Sequence, residues 1–468
     1  MTGWKVNSVW RILASSLAGS LLGWWGSISA QAADIQMQVQ AAPATPSAKS
    51  PTGQLLTISD AVRIGLENHP RIKSANERVG SLQALLGQQV AAYYPTVNFN
   101  NRYQTSQSSS SGGNDHAADS FSSIANLTMT LYNFGKREAN VQSARENLSA
   151  GQQDYETTSQ DTVLAIKTAY YLYLGTQAIV NVRKDTVRSR ELLVRQARGF
   201  FEVGTRAKID VARAEANLYS AQADLIQAEN GVKIAWVTLR NAMGSPRLPE
   251  QPVAEDSPEV EFSMNLAGAR NVAFEKRTEL KSFEALRRSA DQLIANARRS
   301  HLPDLNFDAS WGRRHLSNDP DQKNTFPLRP TWTVGLNLSI PIFDGFRTTN
   351  RVEETLHNYY RVKADEEDRR QLIALEVEQS YLRVVETQER IKANESASRA
   401  AKENLDLAQG RYQVGVGSII EVTDAETLYT DAQTTYIRSV YEYKIADAQL
   451  ARAMGDTRVA VLKQGSIK

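Results

Sequence analysis

Apolar residues recur in steps of four and three along two segments of the chain. The first stripe alternates small and large side chains: Ala207, Val211, Ala214, Leu218, Ala221, Leu225, Ala228, Val232, Ala235, Leu239 and Ala242. The second keeps the spacing and the alternation: Ser418, Val422, Ala425, Tyr429, Ala432, Tyr436, Ser439, Tyr443, Ala446, Leu450 and Ala453. A strict seven-residue repeat holds one helix stripe against a neighbour, which predicts coiled-coil helices. An ordinary buried stripe is the alternative.

Long proline-free segments precede both stripes. The chain from Gly135 to Gly199 spans about 64 residues, which as one helix would measure about 96 Å. Segments 70–93 and 207–243 would together reach about 91 Å, so two stacked shorter helices match one long partner. The second half repeats the pattern with three further segments: 278–300, 347–410 and 418–454. Such helices are too long for a compact domain of this mass.

The two halves of the chain are also similar residue by residue. Aligning 199–244 with 410–455 without a gap gives about 17 identities in 46 positions, where chance gives about three. This duplication predicts two repeats, 55–244 and 263–455. A proline-rich linker at 245–262 joins them.

The two ends of the chain differ in character from the repeats. Lys5 and Arg11 precede a mostly apolar run, and Ala30 and Ala32 have the spacing that signal peptidase recognises. We therefore predict a signal peptide over residues 1–32, with an uncleaved membrane anchor as the alternative. Two flanking segments complete the division: an Ala-, Pro- and Ser-rich disordered leader at 33–54 and a C-terminal tail at 456–468.

Four segments alternate apolar and polar residues with a period of two: about 95–105, 121–132, 303–313 and 331–342. Each has about the length that a tilted strand needs to cross a bilayer. The apolar positions carry no charge from Val97 to Tyr103, Ala125 to Leu131, Leu305 to Trp311 and Trp332 to Ile340. Arg102 and Asp308 fall on the polar side. The intervening polar segments, 105–120 and 313–330, are predicted to be loops. A soluble sandwich with one buried face is the alternative.

Four membrane strands cannot stand alone, because an open sheet edge is not tolerated in lipid and four strands are too few to close a barrel. The sequence therefore predicts association between copies of the chain. Two copies would supply 8 strands and three copies 12. Periodicity does not choose between these numbers.

Composition excludes several functions. The 54 basic and 52 acidic residues give a net charge of +2, so nothing favours nucleic acid as a partner. The chain has no cysteine, which removes disulfides, thiol nucleophiles and thiolate metal sites. None of its five histidines pairs with another at metal-ligand spacing. We predict neither an enzyme nor a bound metal or cofactor.

These features together resemble the TolC family of outer-membrane channels. The motifs that carry the resemblance are Leu56-Thr-Ile-Ser-Asp-Ala61, Asn68-His-Pro70, Leu131-Tyr-Asn-Phe-Gly135, Pro341-Ile-Phe-Asp-Gly345, and the Val-Gly pairs at 203 and 414. The resemblance covers roughly residues 55–455, and the absence of cysteine favours the branch without a lipid anchor.

The resemblance implies a mostly α-helical fold with four membrane strands in each chain. Three chains would form a homotrimer, with a 12-stranded β-barrel surrounded by outer-membrane lipid and a helical tunnel in the periplasm. The channel would passively conduct drugs or unfolded proteins. It would dock on a periplasmic adaptor and an ABC or proton-driven transporter of the inner membrane.

The resemblance also implies two kinds of site. Adaptors of the family engage the helix hairpins at the tunnel tip, which here correspond to Gly204, Thr205, Arg206, Asp210, Gly415, Ser418 and Glu421. Charged constrictions on the inner helices keep the tip closed, and Asp406 is the candidate. Its counterpart Arg195 is basic, and a solvated surface charge is the alternative for Asp406.

A periplasmic coiled-coil adaptor or scaffold that bridges the two membranes is the alternative function. It would explain the helices but neither the four amphipathic strands nor the two complete hairpins. A cell-wall enzyme has no supporting constellation of residues. The sequence does not name the cargo or the cognate transporter.

Overall fold

The computed structural model describes residues 55–109, 115–255, 264–317 and 328–456. The signal peptide and the leader predicted from the sequence lie outside these ranges, as does the predicted tail after Asp456. The described residues form long helices and one four-stranded antiparallel sheet, which confirms the predicted fold class for the single chain.

The first repeat contributes four helices. Short helices α1 (Ile58–Asn68) and α2 (Pro70–Val90) come before the first two strands, and a single 3-10 turn (Ala91–Tyr93) ends α2. After those strands comes α3 (Lys136–Glu202), whose 67 residues make it about 100 Å long. Helix α4 (Lys208–Ala242) completes the repeat.

The second repeat has the same four helices with nearly the same lengths. They are α5 (Leu266–Lys276), α6 (Thr278–Arg299), α7 (Arg347–Gln413) and α8 (Ile419–Ala453). Helix α7 has 67 residues, as α3 does, and α8 has 35, as α4 does. The duplicated sequence therefore folds into duplicated secondary structure.

The helices pack side by side in a fixed order. One side of α3 contacts α2 and α4, its other side contacts α6 and α8, and α7 packs against α6 and α8. Two short helices thus share the length of one long helix, as the segment lengths predict. Helices α2 and α4 lie at one edge of this row and α7 at the other.

The two predicted coiled-coil stripes lie at helix interfaces. Every stripe residue is buried or half-buried except Ala207, which precedes the first turn of α4. Helix α8 buries a second stripe that includes Glu426, Thr430 and Thr434, because it lies between α3 and α7. Helix α4 has no such second neighbour among the described helices, and its outer face stays exposed.

Equivalent glycines end α4 and α8 where these helices meet the shorter ones. Gly244 and Gly455 have φ angles of +64° and +71°, a left-handed conformation that favours glycine. A Cβ at Gly244 would lie 2.6 Å from the Cα of His69, and one at Gly455 would lie 3.1 Å from the backbone nitrogen of Arg277. Both the conformation and the close approach therefore require glycine.

The sheet contains β1 (Thr96–Ser109), β2 (Asp115–Tyr132), β3 (Asp304–Ser317) and β4 (Arg329–Ser339), paired in that order. The strands extend into segments 105–120 and 313–330, which the sequence predicts to be loops. Backbone pairing continues there, for example between Thr105 and Asp119, because ladder hydrogen bonds do not need apolar side chains.

The strand register gathers the apolar positions on one face. Val97 pairs with Leu127, Leu127 with Ala309, and Ala309 with Val334, so one apolar row crosses all four strands. Most large side chains of this apolar face are exposed: Val97, Phe99, Tyr103, Trp311, Trp332, Val334, Leu336 and Leu338. A patch of this kind on a folded chain marks contact with lipid or protein. None of the described helices is long and apolar enough to cross a bilayer.

Aromatic residues mark the corners where strands lead into α3 and α7. Phe134 and Phe346 both adopt positive φ angles, of 53° and 64°. Their rings lie 4.8 Å from Tyr132 and 5.6 Å from Phe343, respectively, and all four side chains are exposed. Exposed aromatic residues at the ends of strands are typical of a membrane–water boundary.

The close packing of the α3–α4 seam can be tested at Ala221, which is buried. Ala221→Leu should lower the thermal unfolding midpoint, followed by circular dichroism, because overpacking a tight site costs about 1–3 kcal/mol. Ala267→Leu is the matched control, since Ala267 is an exposed alanine on α5. Equal midpoints for the two variants would show that the seam is not closely packed.

Candidate functional site

The two helix hairpins end in equivalent turns. Gly204 follows α3 and Gly415 follows α7, with φ angles of +75° and +83°. In each turn the glycine N–H donates to a carbonyl of the preceding helix, that of Phe201 or Tyr412. Such left-handed glycines are a common way to end a helix, because they let the last carbonyls find donors. The predicted Val-Gly turns lie side by side at one end of the helices, because Arg206 after the first turn contacts Gly415 of the second.

Arg206 joins the two turns. Its Nη2 donates to the carbonyl oxygens of Gly415 at 3.0 Å and Gly417 at 2.7 Å. Its guanidinium also lies 5.5 Å from the centre of the Tyr412 ring, which is buried against Phe200. Of the seven residues predicted at the hairpin tips, Arg206 and Gly415 are thus in direct contact across the hairpins.

Tyr412 lies at the centre of this contact. Burial raises the pKa of its hydroxyl, and nearby Asp210 raises it further. The Tyr412 hydroxyl has no hydrogen-bond partner in the described part of the chain. The ring therefore acts as an apolar wedge between the hairpins rather than as a polar group.

The other predicted tip residues have local roles. Thr205 is exposed and its hydroxyl donates to the Phe200 carbonyl at 2.9 Å. Ser418 caps α8 by accepting from the backbone N–H of Glu421, and the Glu421 carboxylate pairs with Arg411 at 3.3 Å. Asp210 lies in the first turn of α4, where an acidic side chain is favoured by the helix dipole.

Asp406, the candidate constriction residue, lies on α7 before the hairpin turn at Gly415. Its side chain is 58% exposed and pairs with Lys402, one turn earlier on the same helix, at 3.2 Å. This is the geometry of a surface ion pair, which contributes little to stability. A role for Asp406 in closing the tip stays a prediction.

A second contact between the hairpins, formed by Arg190 of α3 and Glu426 of α8, was not anticipated from the sequence. Arg190 Nε lies 3.2 Å from Glu426 Oε2, and the two side chains are 12% and 3% exposed. Arg190 also donates to the Asn217 carbonyl of α4 at 2.9 Å. Burial raises the pKa of Glu426, although Arg190 counteracts this effect. The acidic residue beside the stripe residue Ala425 was the available sequence signal.

A buried ionic cluster at the C-terminal end of α8 was also not anticipated from the sequence. The Glu279 carboxylate forms ion pairs with Arg277 Nε at 2.9 Å and with Arg452 Nη2 at 2.7 Å. Arg277 Nη2 also lies 2.6 Å from Oε2 of Glu376. Arg277 Nη1 donates to the Ala453 carbonyl at 3.1 Å, which satisfies the end of α8. Burial alone would raise the pKa of Glu279, but the two arginines lower it below its usual value.

Together, an apolar sheet face and long paired helices are the features of a membrane protein. The family model described as outer membrane efflux protein matches residues 62–245 and 269–456. The chain belongs to this outer membrane efflux protein family. The match confirms the predicted family, the outer-membrane location and a channel protein rather than an enzyme or an adaptor.

Individual relatives agree with the family match. The chain is 24% identical over 396 residues to the outer membrane protein TolC of Vibrio cholerae, covering 83% of this chain and 88% of that protein. It is 25% identical over 473 residues to the protein CyaE of Bordetella pertussis, covering 97% of both. A crystal structure of a membrane protein from Pseudomonas aeruginosa matches with a TM-score of 0.74, at 20% identity over 85% of this chain and 93% of that one.

The contact made by Arg206 gives a testable prediction. Arg206→Ala should speed amide hydrogen exchange in residues 411–417 by about tenfold or more, because a hydrogen bond from a charged donor contributes about 1.5–3 kcal/mol. Mass spectrometry of peptides from the turn would measure this. Arg198→Ala is the control, since Arg198 pairs with Glu215 within the first hairpin only. Unchanged exchange in Arg206→Ala would mean that the link does not hold the second turn.

Proposed function

We propose that three copies of this chain form an outer-membrane exit channel. The observation that carries the proposal is the apolar face that runs across all four strands while both sheet edges stay open. Solutes would leave the cell passively along a lumen lined by the polar strand face and by the long helices.

The open edges require partners in a bilayer. Strands β1 and β4 each pair on one side only within the described sheet. Unpaired backbone groups in hydrocarbon cost several kcal/mol each, and four strands cannot close on themselves. The edge of β4 would therefore pair with β1 of the next copy, and repetition of this contact closes a ring.

The helices support the same arrangement. Apolar side chains are exposed on α4, at one edge of the helix row: Ile209, Tyr219, Ile226, Ile234 and Val237. Others are exposed on α7, at the opposite edge: Leu372, Leu375, Leu382, Val385 and Leu407. Packing α7 of one copy against α4 of the next would bury both sets. The two edges are different surfaces, so this contact is head-to-tail, and it gives a closed ring when the rotation from copy to copy adds up to a full turn.

Three copies fit a channel better than two. Eight strands make a barrel whose interior is just filled by side chains, whereas larger barrels leave space for solutes. Three copies would supply twelve strands. The family resemblance implies the same homotrimer.

The hairpin turns are the proposed docking site for a periplasmic adaptor, which would connect the channel to an ABC or proton-driven transporter in the inner membrane. Val203 and Val414 occupy equivalent positions in the two turns, and both are more than 70% exposed. Exposed apolar residues at the tip of a hairpin suit a partner that binds end-on. Whether the cargo is a drug or an unfolded protein follows from the transporter.

Conductance of the purified protein in planar lipid bilayers tests the channel itself. Wild-type protein should give stepwise conductance, and Val334→Arg should prevent insertion, because an arginine facing lipid at mid-bilayer costs about 2–4 kcal/mol. Thr333→Arg is the matched control, since its side chain points to the polar face and insertion should persist. A wild-type protein that assembles but conducts no ions would contradict the proposal.

Docking at the tips can be measured separately. Val203→Asp combined with Val414→Asp should weaken co-purification with the cognate adaptor by about tenfold or more, since charges replace exposed apolar anchors. Oligomer assembly should be unaffected, because neither side chain is buried in the chain. Ala267→Asp serves as the control for added charge, because Ala267 is exposed on α5, away from the turns and from the proposed contact between α4 and α7. Unaltered adaptor binding would remove the tips as the docking site.

A further inference from the structure

Three arginines lie in one row across the sheet. Arg102 of β1 pairs with Ser122 of β2, Ser122 pairs with Arg314 of β3, and Arg314 pairs with Arg329 of β4. With strands about 4.8 Å apart, the three Cα atoms fall within about 15 Å. All three side chains are exposed. We call Arg102, Arg314 and Arg329 the arginine row.

The row lies on the polar face of the sheet. Side chains alternate between the two faces along a strand, and Trp311, Ala125 and Trp332 mark the apolar face. Arg102, Arg314 and Arg329 have the opposite parity in their strands. Arg313, the residue before Arg314, falls on the apolar side instead. Helices join the sheet at the other end of the strands, so the row is near the β3–β4 hairpin end.

None of the acidic residues whose side chains the structure describes neutralises the arginine row. None of the three arginines forms an ion pair there with a described residue. Asp304 on the same strand is engaged by Lys136 at 2.8 Å. Asp308 is six residues from Arg314, a separation of about 20 Å along β3. That distance exceeds the Debye length of about 8 Å at physiological salt, so Asp308 does not compensate the row.

The pairing of Arg314 with Arg329 also costs stability. Like charges directly opposite each other in a sheet repel, and no described side chain relieves this repulsion. A row of three cations is therefore not explained by the stability of the sheet. Charged rings that line pores are a known source of ion selectivity, with Arg and Lys favouring anions.

We propose that the arginine row makes the outer end of the channel prefer anionic solutes. The inference rests on the proposed channel function, which places the polar face of the sheet toward the lumen. Three copies of the chain bring three such rows into one lumen, and the positive potential concentrates anions there. Small anions and anionic solutes would pass this region more readily than cations of the same size.

Reversal potentials in a salt gradient test the inference. In planar bilayers with unequal KCl, the triple variant Arg102→Gln, Arg314→Gln, Arg329→Gln should lower the ratio of chloride to potassium permeability by about threefold or more. Arg313→Gln should leave the ratio unchanged, although it removes the same charge one residue away. Replacing the three arginines with lysine should preserve the wild-type ratio, because the charge is retained.

Tripolyphosphate supplies a second, side-specific readout. Added to the chamber that faces the sheet, it should block wild-type current, and the triple glutamine variant should lose most of this block. If the triple variant does not insert, Arg314→Gln alone is compared with Arg313→Gln in the same assays. This readout is independent of any charge selectivity at the helix tips, which face the other chamber.

The outcomes separate the inference from the proposed function. A channel whose permeability ratio and block are unchanged in the glutamine variants overturns the inference and leaves the channel intact. An equal effect of Arg313→Gln overturns it as well, because the face of the sheet would then not matter. A correctly assembled wild-type protein without conductance contradicts the proposed function itself.

Discussion

The four-stranded sheet is incomplete as a membrane structure, and this incompleteness governs the rest of the molecule. Its apolar face is exposed, and its edge strands β1 and β4 have hydrogen-bonding groups that no described strand satisfies. In water the exposed apolar face would be unfavourable, and in lipid the unpaired backbone groups of the edge strands would be unfavourable. The proposed association between copies would relieve both penalties, and the exposed apolar residues of α4 and α7 suit the same contact.

The duplication shows how one sequence pattern serves two environments. Glu215 and Glu426 occupy equivalent positions, yet Glu215 is 35% exposed and pairs with Arg198 within its own hairpin, whereas Glu426 is 3% exposed and pairs with Arg190 of the other repeat. The difference arises because α8 lies between two long helices and α4 contacts only one. The contacts that join the hairpins are therefore concentrated on α8 and on the turn at Arg206.

Much of the fold follows from local pattern. The seven-residue stripes predict the helix interfaces, period-two alternation predicts the strands, and glycines such as Gly204 and Gly415 predict the turns. The contacts of Arg206 with Gly415 and of Arg190 with Glu426 could not be predicted in the same way. They join residues about 210 to 240 positions apart in the sequence, and only the packing of one repeat on the other brings them together. The end of β1 beyond Thr105 was missed for a related reason, because backbone pairing extends a strand without an apolar signal.

The number of chains in the detergent-solubilised protein is the most direct test of this account. Native mass spectrometry of the mature protein extracted from outer membranes should give a mass of three chains, and the protein should aggregate when detergent is removed. A stable single chain in water without detergent would contradict the account, because its open sheet edges and apolar face would then need no partner.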